Sequence, residues 1–495
     1  MVLYTTRQRG VEMIKIAVIS DVHGEERQFK RLAHELEEKQ PDLIIDNGDF
    51  FYGSPEAFYY EMMKKRPPIL DLAKELISVA VPGNHEFTHS YRTFKTAQND
   101  MPYEWICANV SGFIPYVVKH IKGIKLVIIG LTTPLIREWD ETGELSHLDI
   151  RNPVEALKKW IPSILASESP DLLIVSYHGG FERDPDSDWP FHGAESENEA
   201  LRIAHAFPEI DLLITGHQHL RMNTEVNGVH IVQPGSHAVG YTEVMIDTKT
   251  ASNQFASAFR TIETNLNEPT EADEWLDTVI AEWPQDTRFS GMLSSRLHRH
   301  PFHDLMHEVF QLATGAQLTV FEMPYLENGG FFGSITRRDV LRHTPHAAPL
   351  QIIELTGSQV KTLLEESAAV FTVHPKVGVP CFSSEIRELA PAPYVHDVWG
   401  GIDYTVDITR PVSERITQLQ IGGRDVIGDE RFEVAISRYR LTGYDFPLYT
   451  TAQVVRSTNR TIPEILLDFI AQTTLDTPFG QQAQQPHRSE LQGDS

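Results

Sequence analysis

Five short apolar runs in the first half of the chain each end in polar residues. The runs cover residues 13–20, 43–46, 76–81, 172–176 and 212–215. Their length and their near-continuous apolar character predict buried strands of a largely parallel sheet. The carboxyl ends of such strands share one edge of the sheet, where ligands bind in open α/β folds. The side chains that follow the five strands are therefore expected to lie close together.

The residues that follow these strands are oxygen and imidazole donors. They are Asp21 and His23, Asp49, Asn84 and His85, His178, and finally His217 and His219. Residues two apart in an extended segment project to the same side, so we expect Asp21 to converge with His23, and His217 to point the same way as His219. Asp49 is placed to bridge two ions. This donor set predicts two divalent metal ions, and it suits manganese, iron, zinc or cobalt better than calcium.

The ordered set of motifs resembles the calcineurin-like metallophosphoesterases over about residues 14–250. The motifs are Asp21-Val22-His23, Gly48-Asp49, Gly83-Asn84-His85-Glu86, His178 and Gly216-His217-Gln218-His219. A single Gly-Asp or Asp-x-His is usually an ordinary turn, whereas the full set in this order is specific. The resemblance implies one metal held by Asp21, His23, Asp49 and His219, and a second held by Asp49, Asn84, His178 and His217. Asp49 is the shared ligand.

The resemblance also implies a catalytic role for His85. Such a histidine faces the phosphate and donates a proton to the leaving oxygen, or stabilises charge there. In the nucleotidase branch of the family an aspartate three residues further on partners this histidine. Thr88 occupies that position here, so Glu86 or His89 is the candidate substitute.

We expect two domains of the α/β class. A chain of 495 residues has room for two or three domains. The predicted parts are an α/β sandwich catalytic domain over 14–250, a linker over 251–290, an α+β nucleotidase substrate-recognition domain over 291–473, and a disordered tail over 474–495. The strand over 242–248 is expected to be the last of the first domain. The apolar spacing within 268–284 predicts an amphipathic helix in the linker.

Residues 295–470 resemble the C-terminal domain of the 5'-nucleotidase family. The segments 304–318, 335–340 and 400–411 are most similar to the 2',3'-cyclic-nucleotide 2'-phosphodiesterase/3'-nucleotidase branch. In this family the C-terminal domain recognises base and ribose. The resemblance implies that Tyr439 and His346 clamp the base and that Asp445 binds the ribose.

The glycine loop over 328–333 is a further candidate for substrate binding. Asn328 and Phe331 are its candidate residues, because a glycine-rich backbone can approach a planar ligand closely. An ordinary turn with core phenylalanines is the alternative. The family's 5'-nucleotidases continue this loop with an arginine that grips phosphate, whereas Phe331 and Phe332 follow here. This departure favours the cyclic-phosphate branch.

The resemblance to this branch implies an enzyme that opens nucleoside 2',3'-cyclic phosphates to 3'-phosphates and then removes the 3'-phosphate. Within the same class, the alternative is a 5'-nucleotidase or nucleotide-sugar hydrolase. An alternative of another class is a nucleotide-binding sensor without catalysis, which Thr88 supports and the complete set of metal donors opposes.

Charge restricts the expected partners. The chain carries 43 Lys and Arg against 69 Asp and Glu, a net charge of −26. Such a field repels nucleic-acid polymers and anionic membrane surfaces. The expected partner is a nucleotide or nucleoside cyclic phosphate, with no nucleic-acid polymer and no membrane. We expect a cytoplasmic protein, because the sequence contains neither a signal-like N-terminal stretch nor an apolar run of membrane-spanning length. The oligomeric state stays open.

Two smaller features carry structural expectations. Cys107 and Cys381 have apolar neighbours in sequence, so we expect buried thiols rather than a disulfide framework. The histidine-rich stretch that precedes and follows Pro301 includes His303 and His307, which share one face of a helix opened by the proline. We expect this face to be solvated or to lie between domains rather than to bind a third metal.

Overall fold

The computed structural model describes residues 13–88, 91–140, 143–188, 191, 197–248, 253–265, 268–324, 326–344, 348–383, 395–443, 445–472 and 489–491. The chain divides into two compact units, the first ending at Asp273 and the second starting at Glu274. Both units combine helices with sheets. The predicted two-domain α/β architecture is confirmed.

The first unit is built on two six-stranded sheets. Its strands are Met13–Ile19 (β1), Leu43–Asp46 (β2), Val79–Ala80 (β3), Glu104–Trp105 (β4), Tyr116–Ile121 (β5), Ile124–Thr132 (β6), Leu172–His178 (β7), Leu212–Ile214 (β8), Arg221–Val226 (β9), Val229–Pro234 (β10), Gly240–Asp247 (β11) and Gln254–Thr261 (β12). Its helices are Glu26–Lys39 (α1), Pro55–Met62 (α2), Ile69–Leu76 (α3), Asn84–Thr88 (α4), Tyr91–Asp100 (α5), Pro153–Ser167 (α6) and Ala200–Ala206 (α7), with 3-10 turns at Pro134–Arg137 and Glu144–His147.

The strand order explains why the predicted donors meet. One sheet has the order β12-β11-β1-β2-β3-β4, and β1 to β4 run parallel. The other has the order β5-β6-β7-β8-β10-β9, and β6, β7, β8 and β10 run parallel. The donors follow β1, β2, β3 and β8 and end β7, so they lie at the carboxyl ends of these strands.

The two sheets pack face to face. Buried side chains from both, such as Ile16, Ile45, Ile128, Ile174 and Ile214, form one apolar cluster. Separate clusters join the outer face of each sheet to helices, α1 and α3 on one side and α6 and α7 on the other. The layers are therefore helix, sheet, sheet and helix, which is the predicted α/β sandwich.

The predicted boundary at residue 250 does not coincide with the end of the first sheet. Gln254–Thr261 lies in the predicted linker, yet it pairs with Gly240–Asp247 along its whole length as an antiparallel edge strand. An edge strand with one solvated face needs few apolar residues, and here Phe255 and Phe259 supply them. The prediction that the strand over 242–248 is the last one is wrong.

The predicted helix over 268–284 is also wrong in its second half. A short helix, Glu271–Leu276 (α8), spans the division between the units. Val279–Trp283 (β13) then forms a strand that pairs with Gly333–Thr336. Val279 and Ile280 are β-branched, which favours a strand once a partner strand is present. Tertiary pairing here overrides a helical spacing of apolar residues.

The second unit contains a five-stranded sheet and several smaller sheets. Its further strands are Phe289–Ser290 (β14), Leu318–Glu322 (β15), Asn328–Gly329 (β16), Gly333–Thr336 (β17), Pro349–Thr356 (β18), Phe371–Val373 (β19), Pro380–Phe382 (β20), Asp397–Gly400 (β21), Asp403–Val406 (β22), Ile416–Ile421 (β23), Arg424–Asp425 (β24), Arg431–Ser437 (β25), Gln453–Thr461 (β26) and Ser489–Leu491 (β27). Its helices are Ser294–Leu297 (α9), Pro301–Thr314 (α10), Arg337–Leu341 (α11), Gly357–Ala368 (α12) and Ile462–Gln472 (α13), with 3-10 turns at Arg438–Thr442 and Pro447–Thr451.

The main sheet of this unit has the order β21-β15-β25-β18-β26. Its core gathers Leu318, Ile353, Val434 and helix residues such as Leu363. Of the tail predicted to be disordered, the structure describes only Ser489–Leu491, which pair in parallel with β22. The rest of that tail lies outside the described residues.

Three further expectations concern burial. Both cysteines are buried and no disulfide joins them, as predicted. His303 is 5% exposed, so the expectation of a solvated face there is wrong for this residue. None of the helices in the described ranges combines the length and the apolar character that a membrane crossing requires.

Candidate metal centre

The backbone at five of the seven predicted metal ligands adopts the left-handed region. φ is 55° at Asp21 and at His23, 54° at Asp49, 68° at His217 and 59° at His219. Residues other than glycine seldom adopt such angles, and when they do, the conformation is often held by the surrounding fold at a functional site. The prediction of an extended backbone at Asp21-Val22-His23 and at His217-Gln218-His219 is therefore wrong. Tight turns aim these side chains instead.

Three of these side chains form a first cluster, namely Asp21, His23 and His219. The Nε2 atoms of His23 and His219 are 3.0 Å apart, and His219 Nε2 is 3.5 Å from Asp21 Oδ1. One ligand atom from each residue lies within 4.8 Å of the others. A single cation fits among them.

Asp49, His178 and His217 form a second cluster, and Asn84 completes it. His178 Nε2 lies 3.2 Å from Asp49 Oδ2 and 3.1 Å from Asn84 Oδ1. His217 Nδ1 lies 2.9 Å from the same Asn84 oxygen. His217 thus faces the second cluster while His219 faces the first, so the prediction that the two rings point one way is wrong.

Asp49 lies between the clusters. Besides its contact with His178, its side chain forms a third possible metal-binding group with His23 and His85. This position agrees with the predicted bridging role. Carboxylate, amide and imidazole donors in two adjoining groups suit divalent transition metals. The structure thus brings all seven predicted ligands together, and the assignment of each one to a particular ion stays a prediction.

The charges at the centre favour cations. Burial alone would raise the pKa of Asp49, but the neighbouring His178 and His85 hold it well below its usual range. Burial and the adjacent His219 lower the pKa of His23 to about 4. Burial opposes protonation of His178, but the carboxylate of Asp49 raises its pKa to about 10. A metal ion must displace that proton, because only neutral imidazole is a ligand.

Hydrogen bonds orient three of the imidazoles. His23 Nδ1 donates to the backbone oxygen of Tyr52 at 2.6 Å, and His178 Nδ1 donates to that of Asn47 at 2.7 Å. Because a carbonyl can only accept, each ring in its neutral form keeps its proton on Nδ1 and presents the lone pair of Nε2 to the centre. His217 uses its Nε2 instead, which lies 2.7 Å from Glu197 Oε1. The sequence analysis missed Glu197.

Asn47 joins the two sheets beneath the centre, and it too was missed. Its side chain is fully buried. Its Oδ1 accepts from the Ser176 hydroxyl at 2.6 Å, and its Nδ2 donates to the backbone oxygen of Tyr177 at 3.2 Å. Asn47 directly precedes the Gly48-Asp49 motif, and this position was the only sign in the sequence that it supports the centre.

Glu86 does not partner His85. Its buried carboxylate accepts from the backbone N–H groups of Asp49 and Gly83 at 2.8 Å, of Phe50 at 2.8 Å and of Phe51 at 3.2 Å. These four bonds tie the Gly48-Asp49 loop to the Gly83-Asn84 loop. The predicted substitution for the missing aspartate is therefore wrong for Glu86, whereas His89 lies outside the described residues.

Gly83 permits the two loops to approach closely. A Cβ atom at this position would lie 2.2 Å from Asp49 Oδ1. Any side chain would therefore displace the carboxylate of Asp49 or the loop itself. The glycine of the Gly-Asn-His-Glu motif is required by this contact.

His85 lies beside the clusters with its ring accessible. Its backbone N–H donates to Asp49 Oδ1 at 2.8 Å, and its ring stands edge-on to that of His23 at 5.0 Å. The side chain is 25% exposed. An imidazole that is held by its backbone and open to solvent is available to a bound phosphate, as the predicted catalytic role requires.

His237 is a further histidine at the centre that the sequence analysis missed. Its ring lies 5.3 Å from that of His23 and 5.4 Å from that of His219. Its backbone N–H donates to the backbone oxygen of Asp21 at 2.7 Å. His237 follows β10, so it repeats the pattern of a donor after an apolar strand.

The glycine loop of the second unit does not present Phe331 to a ligand. Phe331 is 1% exposed, and its ring packs 4.7 Å from that of His343 and 5.9 Å from that of Phe302. Asn328 is exposed, in β16. Phe331 is thus a core residue, because one ring of the Phe-Phe pair turns inward and Phe332 stays 49% exposed.

The remaining substrate candidates differ in accessibility. Tyr439 is half-buried and accessible. The side chain of Asp445 is 3% exposed, and its Oδ2 lies 2.5 Å from Nη1 of Arg440. This ion pair turns the predicted ribose-binding acid toward the protein. His346, the predicted second ring of the base clamp, lies outside the described residues.

Comparison with known families agrees with this geometry. Residues 14–221 match the model of the calcineurin-like phosphoesterases, and residues 279–452 match that of the 5'-nucleotidase C-terminal domain. A metal-dependent phosphoric ester hydrolase is the class that the fold and the clusters define. The chain thus combines a calcineurin-like phosphoesterase domain with a 5'-nucleotidase C-terminal domain, and the predicted resemblance is confirmed.

Individual relatives are distant in sequence. The chain is 24% identical to the trifunctional nucleotide phosphoesterase protein YfkN of Bacillus subtilis over 90% of its length, but it spans only 36% of that protein. It is 23% identical to a 2',3'-cyclic-nucleotide 2'-phosphodiesterase/3'-nucleotidase of Haemophilus influenzae, covering 92% of this chain and 81% of the relative. The solved structure of a Staphylococcus aureus protein, assigned provisionally as a 5'-nucleotidase, superposes with a TM-score of 0.84 at 25% identity, over 94% of this chain and 98% of the other.

Proposed function

We propose that this protein hydrolyses nucleotide phosphoesters, opening nucleoside 2',3'-cyclic phosphates to 3'-phosphates and then releasing the 3'-phosphate. The observation that carries the proposal is the pair of donor clusters joined by Asp49, at the edge of a calcineurin-like sandwich. The name of the Haemophilus influenzae relative supports the cyclic substrate.

Two divalent ions at these clusters would supply charge neutralisation at the phosphoryl oxygens and a more acidic water. Asp21, His23, Asp49 and His219 would hold one ion, and Asp49, Asn84, His178 and His217 the other. We propose manganese, iron, zinc or cobalt as their identity, since the donors mix oxygen with imidazole.

In the first step, a water oxygen forms a bond to phosphorus and the bond from phosphorus to O2' breaks. The proton goes to O2', and the product is the 3'-phosphate. In the second step, water attacks the monoester, the bond to O3' breaks, and nucleoside and phosphate leave. The accessible His85 beside Asp49 is the proposed proton donor to both leaving oxygens, since imidazole titrates near neutral pH.

The C-terminal unit is proposed to recognise the nucleoside, as its family match suggests. Tyr439 is accessible and can stack on a base, which contributes about 1 to 3 kcal/mol when a base stacks on an aromatic ring. Arg440 binds Asp445. In a 2',3'-cyclic phosphate the 2' and 3' oxygens of the ribose are both bonded to phosphorus and carry no hydroxyl hydrogen. This substrate therefore does not need a carboxylate that binds ribose hydroxyls.

A 5'-nucleotidase is the second candidate. The similarity to the Staphylococcus aureus structure supports it, because that likeness extends over nearly the whole of both chains. Phe331 and Phe332 stand where an arginine is expected in such enzymes, and this departure counts against it.

The proposal is tested by following 2',3'-cyclic AMP by phosphorus NMR in the presence of the manganese-loaded protein. The expected course is loss of the cyclic-ester signal, transient 3'-AMP and then inorganic phosphate. Accumulation of 2'-AMP, or consumption of 5'-AMP with the cyclic ester untouched, would contradict it. Two bound ions without turnover of either substrate would favour the alternative of a nucleotide-binding sensor.

A further inference from the structure

Three contacts fix the ring of His217. Its Nδ1 faces Asn84 Oδ1 at 2.9 Å, and its Nε2 lies 2.7 Å from Glu197 Oε1. Trp139 stacks on its face, with ring centroids 5.7 Å apart and an angle of 26° between the planes. Because a carboxylate accepts from Nε2–H, the lone pair of Nδ1 is directed at the second cluster.

Glu197 differs in charge from the partners of the other two oriented rings. His23 and His178 each donate to a backbone carbonyl, which carries no net charge. A carboxylate that accepts from the remote nitrogen fixes the tautomer and also makes the imidazole a stronger donor to a metal ion. His217 is therefore expected to depend on its partner more than the other two histidines do.

The segment that carries Glu197 is itself anchored. The Tyr177 hydroxyl donates to the backbone oxygen of Glu197 at 3.0 Å, and the backbone N–H of Gly180 donates to Asn198 Oδ1 at 2.7 Å. Glu199 accepts from Asn152 Nδ2 at 2.8 Å. The Glu197 side chain is 10% exposed. Its carboxylate is thus held against His217 rather than placed there by a mobile surface contact.

We propose that Glu197 is a positioning residue for the second metal ion, acting through His217 on the affinity of that site and not on the first. The proposal rests on the two-metal centre of the proposed function. It concerns metal binding alone, so it is measured without a substrate and is separable from the identity of that substrate.

The test uses manganese binding to the full chain by isothermal titration calorimetry, with each site isolated. His219→Ala is used to disable the first site, and Asn84→Ala to disable the second. Glu197→Ala and the nearly isosteric Glu197→Gln are then combined with each background. Circular dichroism melts check folding. Glu199→Gln is the matched control, since it changes a neighbouring buried carboxylate that contacts Asn152 and Arg202.

In the His219→Ala background, Glu197→Ala is expected to weaken manganese binding by about 10- to 100-fold. Glu197→Gln is expected to lose less, because its amide oxygen can still accept from Nε2–H. In the Asn84→Ala background neither change should alter the affinity. Unchanged binding at the second site, or an equal loss at both sites, would overturn the proposal. An equal effect of Glu199→Gln would also overturn it, since the segment and not the carboxylate would then be responsible.

Discussion

The carboxylate of Glu86 accepts a hydrogen bond from the backbone N–H of Asp49 at 2.8 Å. Glu86 lies one residue after His85, yet its partners are the backbone N–H groups of residues 49–51 and of Gly83. An acid in the Gly-Asn-His-Glu motif thus shapes the centre rather than exchanging protons in it.

We expect Glu86→Ala to lower the free energy of unfolding by at least about 3 kcal/mol, because four buried N–H groups lose their acceptor. Metal content should fall with it, since Asp49 loses its position. Urea unfolding and metal analysis after dialysis against manganese measure both. Glu86→Gln retains one acceptor oxygen, so its stability and metal content should lie between those of Glu86→Ala and those of the unmodified chain. If Glu86→Gln kept both ions and changed only the pH profile of activity, Glu86 would be a proton-transfer partner of His85 instead.

His85→Ala is expected to separate catalysis from metal binding. Loss of a general acid lowers the rate by about 10²- to 10⁴-fold, so kcat should fall while two ions remain bound per chain. Manganese stoichiometry by equilibrium dialysis, alongside phosphate release, checks this. Loss of one ion in the variant would make His85 a ligand, consistent with its place in the group with His23 and Asp49.

Two buried histidines predict acid sensitivity of the second unit. Burial lowers the pKa of His303 to about 3 and that of His396 to about 4. Unfolding restores values near 6.5, so the unfolded chain binds more protons between pH 6.5 and 4. Stability is therefore fully present above pH 6.5 and falls as the pH drops through this window, by about 2 kcal/mol per histidine at pH 5.

His303→Gln tests this dependence, since glutamine can still donate to the backbone oxygen of Ser295 as His303 does. Urea unfolding measures the decrease in the free energy of unfolding between pH 7 and pH 5. This decrease should be smaller by about 2 kcal/mol in the variant than in the unmodified chain. The exposed His120→Gln is the control and should keep the original dependence. An unchanged pH dependence in His303→Gln would show that the buried His303 does not cause the acid sensitivity.

Arg440 is the cation at the centre of three acidic side chains in the second unit. It lies 2.6 Å from Asp397, 2.5 Å from Asp445 and 3.4 Å from Glu322. Arg440→Met would leave buried carboxylates without their cation, so we expect a loss of about 3 to 5 kcal/mol in unfolding free energy. Arg456→Met removes an exposed ion pair with Glu433 and should leave the free energy of unfolding nearly unchanged. Equal effects of the two changes would contradict this account.

The centre was predictable because its ligands follow parallel strands, which bring distant residues to one edge regardless of the loops between them. The strands before Asp21, Asp49 and His217 are short apolar runs that the sequence shows directly. The left-handed turns at these residues were not predictable, since nothing in an Asp-x-His pattern distinguishes a turn from a strand end.

Contacts between loops account for the other failures. Glu197 meets His217 only because two loops fold together, and no spacing records that proximity. Phe331 and Phe332 are the same residue type, so the sequence does not tell which ring is buried. Packing against His343 and Phe302 buries Phe331. Val279–Trp283 becomes a strand because Gly333–Thr336, distant in sequence, offers a partner strand.

The most direct test of the account is the ratio of kcat/KM for 2',3'-cyclic AMP to that for 5'-AMP, measured on the manganese-loaded chain with Asp49→Asn as the control. We expect a ratio well above one and loss of both activities in the variant, because Asp49 is the proposed shared ligand of the two ions. A ratio below one would place the protein with the 5'-nucleotidases, and turnover that survives Asp49→Asn would contradict the two-metal centre itself.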